Sequence, residues 1–156
     1  MRNWMFGGIY GTVLASALLA ALQNEGERFT PEYDAAWILV TAVASGLVHG
    51  YAHHMSTHHT GSASVRWRRL GRALAEEWPL VVACTPTVAL LLIAGVNEWS
   101  QGSVTTFGLI MNALLLGTWG TLAALKSGYR RGSAVLVGAA DAAIGLAIAI
   151  ANALIK

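Results

Sequence analysis

Residues 79–97 read PLVVACTPTVALLLIAGVN, nineteen consecutive positions without an Asp, Glu, Lys, Arg or His. At 1.5 Å rise per residue such a run spans about 28 Å as a helix, close to the ~30 Å hydrocarbon thickness of a bilayer. The whole chain has the same character. Of its 156 residues 55% are hydrophobic and 12% charged, and its mean hydropathy is +0.54, whereas ordinary soluble domains carry about 25% charged residues. Four more apolar stretches lie near 4–23, 35–56, 104–125 and 133–155. Thr30-Pro31-Glu32 reads as an N-cap followed by proline at the first helical position, so the second helix should begin near 31. The expected fold class is all-α: a polytopic membrane bundle of five transmembrane helices in one integral membrane domain over 1–156. A short cytoplasmic amphipathic helix, near 64–78, should join the second and third. The first stretch is longer than a signal-peptide core, and Gln23-Asn24-Glu25 is no small-x-small cleavage site, so it reads as a retained helix. The single cysteine, Cys84, excludes an intramolecular disulfide.

Charge placement sets the expected orientation. Arg66, Arg68, Arg69 and Arg72 lie in the second connection and Lys126, Arg130 and Arg131 in the fourth, whereas the first carries Glu25, Glu27, Glu32 and Asp34 against Arg28. Basic loops are retained in the cytoplasm, which puts the N-terminus inside and the C-terminus outside a plasma (inner) membrane. The net charge of +2 then reflects orientation and not nucleic-acid binding. Between 64 and 78, a turn of about 100° per residue puts Trp67, Leu70, Leu74 and Trp78 on one side and Arg68, Arg69, Arg72 and Glu76 on the other. That is the pattern of a helix lying at the headgroups of the lipid bilayer. Small residues recur four apart, as Gly7, Gly11 and Ala15, as Gly46 and Gly50, and as Gly138 with Ala142 and Gly145 with Ala149, the signature of close helix packing in lipid. Pro86 should weaken or kink the third helix.

All five histidines fall in GLVHGYAHHMSTHHTG, residues 46–61. With His49 at zero on a helix, His53 falls near 40°, but His54 and His58 fall near 140° and 180°. The His49 side also collects Thr41, Ser45 and Ser56, with Asp34 at its outer end, in a polar stripe that should face the bundle interior, a cavity or a subunit partner. A His pair at i, i+4 can place two imidazoles on one metal ion, although zinc usually takes four ligands. Asp141, the one carboxylate well inside an apolar stretch, lies at the depth of His49, both about 5 Å to the cytoplasmic side of the midplane. A His49–Asp141 hydrogen bond suits a structural polar pair and equally the orientation of a metal-binding imidazole. Asn112, slightly to the outer side, could join this buried centre. His54, His58 and His59 belong to the cytoplasmic rim, as a weak ion-collecting patch or a pH-sensitive edge. Haem ligation by His49 or His53 would need an aromatic-lined slot. No nucleophile paired with a base, no phosphate-binding glycine loop and no Cys-x-x-Cys is present, so no enzyme is expected.

The layout resembles the vacuolar iron transporter family. The shared features are five membrane helices, a cytoplasmic N-terminus, an amphipathic segment after the second helix, prolines in the third, and the passage LAALKSGYRRGSAVLVGAADAAIG, which is similar to that family's basic turn between its last two helices. Family members carry an Asp and a Met four apart on the second helix, facing the ion path, and His49 and His53 stand at the best-matching positions. The chain departs from the family where Thr12, Val13 and Leu14 replace a helix-one carboxylate motif and Thr57-His58 replaces a Glu-Tyr pair. A short basic helix also stands in place of a Glu-rich insertion. The resemblance implies a homodimer with a central polar path, its carboxylate site lost or remade with imidazoles. Three functions follow as expectations: binding or transport of a divalent transition metal (Fe, Zn, Mn or Ni) through His49, His53 and Asp141 with Ser45 and Asn112 along the path; a non-transporting accessory membrane protein that docks a membrane partner; or proton conduction through His49 and Asp141.

Overall fold

The computed structural model describes residues 2–22, 30–56 and 63–155. These form α1 (Arg2–Ala21), α2 (Pro31–Ser56), α3 (Ala63–Glu76), α4 (Trp78–Val96), α5 (Gln101–Lys126) and α6 (Arg131–Ile155), with no strand among the described residues. Among the described residues five helical segments are long and apolar enough to cross a membrane. The expected all-α bundle is therefore the architecture observed.

The helix ends follow from local chemistry. Tyr33 and Asp34 donate their backbone N–H groups to the Thr30 carbonyl at 3.0 and 3.1 Å, so α2 starts at Pro31, where a missing N–H costs nothing. Two turns close with the same pair of bonds. After α4, Trp99 N–H reaches Ala94 O at 3.1 Å with Glu98 at φ 52°, and after α5, Tyr129 N–H reaches Ala124 O at 3.1 Å with Gly128 at φ 86°. Both are Schellman ends, which need a left-handed residue, and glycine fills that place in one turn but not in the other. Ser100 caps α5 by accepting from Ser103 N–H at 3.4 Å.

α1 stands at the centre, running beside α4 on one side and α5 on the other, while α2 packs mainly on α4 and α6 mainly on α5. The α1–α4 seam is set by Gly7 and Gly11. A Cβ on Gly7 would stand 2.7 Å from Leu80 N, and one on Gly11 would meet Leu80 O and stand 2.9 Å from the Ala83 methyl. Across this seam the Cys84 thiol donates to Gly11 O at 3.2 Å. Gly8 supports the Trp119 ring, with 2.6 Å between a notional Cβ and the indole, so α5 closes on α1 by the same device. Since lipid tails are as apolar as the side chains, backbone proximity and dispersion hold these helices together. The α5–α6 hairpin is similar, with Gly117 against Ala142 and Gly138, and Gly145 against Ala113.

Pro86 removes the N–H that would bond Val82 O. The Thr85 hydroxyl takes its place, donating to Val82 O at 2.7 Å, so α4 runs on through the proline. At the other end of α4, Glu77 alone separates it from α3, and Pro79 sits in the first turn without an N–H to give. Trp78 therefore opens α4 and does not close the amphipathic helix. α3 is docked by its Ala73 and Leu74, whose backbone lies 3.0 Å from a notional Cβ on Gly50 of α2. Leu74 thus packs on α2. Trp67 at 72% and Trp78 at 58% remain exposed, as do Arg68, Arg69 and Arg72.

Candidate functional site

The inner face of α2 is made of small and apolar residues. Ala35, Ile38, Ala42, Gly46 and Gly50 are buried, and their four-residue spacing leaves the polar stripe on the neighbouring flank. Thr41 and Ser45 are half-buried there, and His49 and His53 are exposed. The buried polar centre expected from the sequence is thus not formed within one chain. The packing decides it: Gly50 meets the backbone of α3 at 3.0 Å, and burial of the row from Ala35 to Gly50 leaves the histidines on the outer flank. Ser56 caps the stripe by donating its hydroxyl to His53 O at 2.8 Å.

His49 lies against α1. Its ring centroid is 5.5 Å from that of Phe6 and 6.1 Å from that of Tyr10, and the two aromatic rings stand 6.0 Å apart. Phe6 is 50% exposed and Tyr10 42%. An imidazole and two aromatic rings therefore form an open surface where α1 and α2 meet. Neither ring was singled out by sequence reasoning. The available signal was their i, i+4 spacing on the flank beside the Gly7–Gly11 face of α1.

Asp141 sits elsewhere. It is half-buried on α6, with its carboxylate pressed on Gly120 of α5, where a Cβ would stand 2.8 Å from Asp141 Cγ. No hydrogen bond or ion pair joins it to His49. A shared depth would not bring the two together, because α6 packs on α5 and α1 while α2 packs on α4. Asn112 is in neither place. It is fully buried at the middle of α5, where Thr87 Oγ1 donates to its Oδ1 at 2.9 Å and its Nδ2 has no partner. Asp34 is buried although it begins the acidic end of α2. Among the described residues no group of three or more His, Cys, Asp or Glu is arranged to hold a metal ion. Of the rim residues His54 is half-buried, and His58 and His59 lie outside the described residues. One chain therefore offers a two-histidine edge, a set that binds a transition metal firmly only when further ligands are supplied.

No family model, curated protein or solved structure matches the chain.

Proposed function

We propose that this membrane protein works as a homodimer joined along the α1–α2 surface, and that His49 and His53 of both copies bind, and pass across the membrane, a divalent transition metal. The observation that carries this reading is the exposure of His49 and His53 on a helix long and apolar enough to span a bilayer. Imidazoles facing hydrocarbon are costly, whereas pairing two such edges supplies four nitrogens, the number zinc prefers. The layout shared with the vacuolar iron transporter family supports the same arrangement. The alternation of basic and acidic connections supports a cytoplasmic N-terminus in the plasma membrane. Asp141 has no part in this site.

The test is elemental analysis of protein purified without a histidine tag, together with cross-linking of a His49→Cys variant in membranes. Stoichiometric metal, lost in the His49→Ala, His53→Ala double variant, and a disulfide-linked dimer are the expected results. A metal-free wild type that gains no thermal stability from Zn²⁺, Mn²⁺, Fe²⁺ or Ni²⁺ would overturn the reading. A second reading, an accessory protein that docks another membrane helix, is favoured by the openness of the Phe6, Tyr10 and His49 surface. It predicts a co-purifying partner that is lost on Tyr10→Ala while metal content stays at zero.

A further inference from the structure

Above the tight Gly117–Gly138 contact, the α5–α6 seam bears an open groove of about 420 Å³. Leu114 and Leu122 on α5 and Val135, Ala139 and Ala142 on α6 line it, over a floor that includes Gly117. Two hydroxyls lie in the lining, and both are turned to their own helix: Thr118 donates to Leu114 O at 2.9 Å and Thr121 to Gly117 O at 2.8 Å. What remains is apolar and extends along the helices. The charged residues stand at one end only. Lys126 continues the row Leu114, Thr118, Leu122 by one turn of α5, and Arg131 precedes Val135 and Ala139 by one turn of α6. Both are exposed, as is Arg130 in the turn between them.

We infer that this groove binds an acidic phospholipid, with one acyl chain along the α5–α6 channel and the phosphate between Lys126 and Arg131. The pairing of an apolar channel with cations at its mouth matches the two ends of that ligand, and basic pockets between transmembrane helices are established headgroup sites. A second copy of this chain fits the groove less well. A two-fold contact across it would bring Lys126 and Arg131 of both copies together, with like charges opposed. A neutral lipid would fill the channel but leave the cations without a counter-charge. The orientation proposed above decides only which leaflet supplies the lipid, the cytoplasmic one.

Native mass spectrometry of protein released from nanodiscs of equal parts phosphatidylglycerol and phosphatidylcholine tests the site. The wild type should retain phosphatidylglycerol in preference to phosphatidylcholine. Removing the cations in Lys126→Gln, Arg131→Gln should lower that preference by about five-fold for each charge removed, with the amount of lipid retained little changed. Ala139→Trp, a substitution at an exposed position, should fill the channel and lower retention of both lipids. Equal retention of the two lipids by the wild type would overturn the inference, as would retention unchanged by Ala139→Trp. A high yield of disulfide-linked dimer from Ala139→Cys in membranes would overturn it too, by showing that the face belongs to a second copy. The charge variant alters only exposed side chains, so its result stands even if the tryptophan variant does not fold.

Discussion

α1 presents two unlike faces. Towards α4 it offers Gly7 and Gly11, and the seam is closed by backbone contact and by the Cys84 thiol on Gly11 O. Towards α2 it offers Phe6 and Tyr10, whose rings stand 5.5 and 6.1 Å from that of His49 and remain open to the outside. The closed seam spends its residues on stability. The open one leaves the His49 imidazole, a costly group to turn to lipid tails, at the surface beside two aromatic rings. Substitutions on the two seams should therefore separate stability from function.

The largest effect is expected at the closed seam. Gly11→Leu would drive a side chain into the backbone of Leu80, and overpacking of this kind costs about 3 kcal/mol or more when backbone must move. The variant should lose its monodisperse peak in size-exclusion chromatography. Gly46 has the same four-residue spacing, but its notional Cβ is 3.8 Å from the nearest atom of Glu77 or Val81. Gly46→Ala should be tolerated, and if it is as damaging as Gly11→Leu then small-residue spacing, and not backbone contact, sets the cost.

Next comes the polar pair that lies with the closed core. Asn112→Ala should lower stability by about 2 kcal/mol, from the lost side-chain packing and the lost bond to Thr87. Asn112→Leu with Thr87→Val should be near neutral in thermal unfolding, because it also removes the unpartnered Nδ2. A strongly destabilised double variant would mean that Nδ2 has a partner of its own.

Smaller again is the repair at Pro86, which keeps α4 in shape for the seam. Thr85→Val leaves Val82 O without its donor and should cost about 1 kcal/mol. Adding Pro86→Ala restores the backbone N–H, so a double-mutant cycle should show the cost of Thr85→Val largely abolished. Additive effects would break this account of the helix.

The smallest change in stability belongs to the open seam. In metal-free protein His49→Ala should shift unfolding by about 0.5 kcal/mol or less, as for other exposed positions, and on the function proposed above it should abolish the stabilisation by added metal. A large loss of stability would move His49 to the structural side of the comparison.

The hydropathy of 79–97 and its four companions made the helices legible, and the end signals at Pro31 and Gly128 were read or readable from single residues. The spacing of small residues announced close packing but did not rank it: Gly11 meets backbone, while Gly46 leaves ordinary van der Waals room. The site was legible in part. His49 and His53 do share a flank of α2 with Thr41 and Ser45, as helical periodicity requires. That the flank points outward was not legible, since periodicity relates residues on one helix and is silent about which face wins the interior. Nor was the fate of Asp141, whose neighbour is Gly120 of α5.

The sequence by itself determined the number of spanning helices, their limits to within a few residues and which side chains share a face, because backbone hydrogen bonding in hydrocarbon allows little but helix and the helix has a fixed period. Only the tertiary structure decided which faces meet. In lipid there is no hydrophobic drive to bury one apolar face over another, so the choice fell to the positions where two backbones approach most closely. On α2 that position is Gly50 against the backbone of α3, and with Ala35, Ile38, Ala42 and Gly46 buried in the same row the histidines were left at the edge.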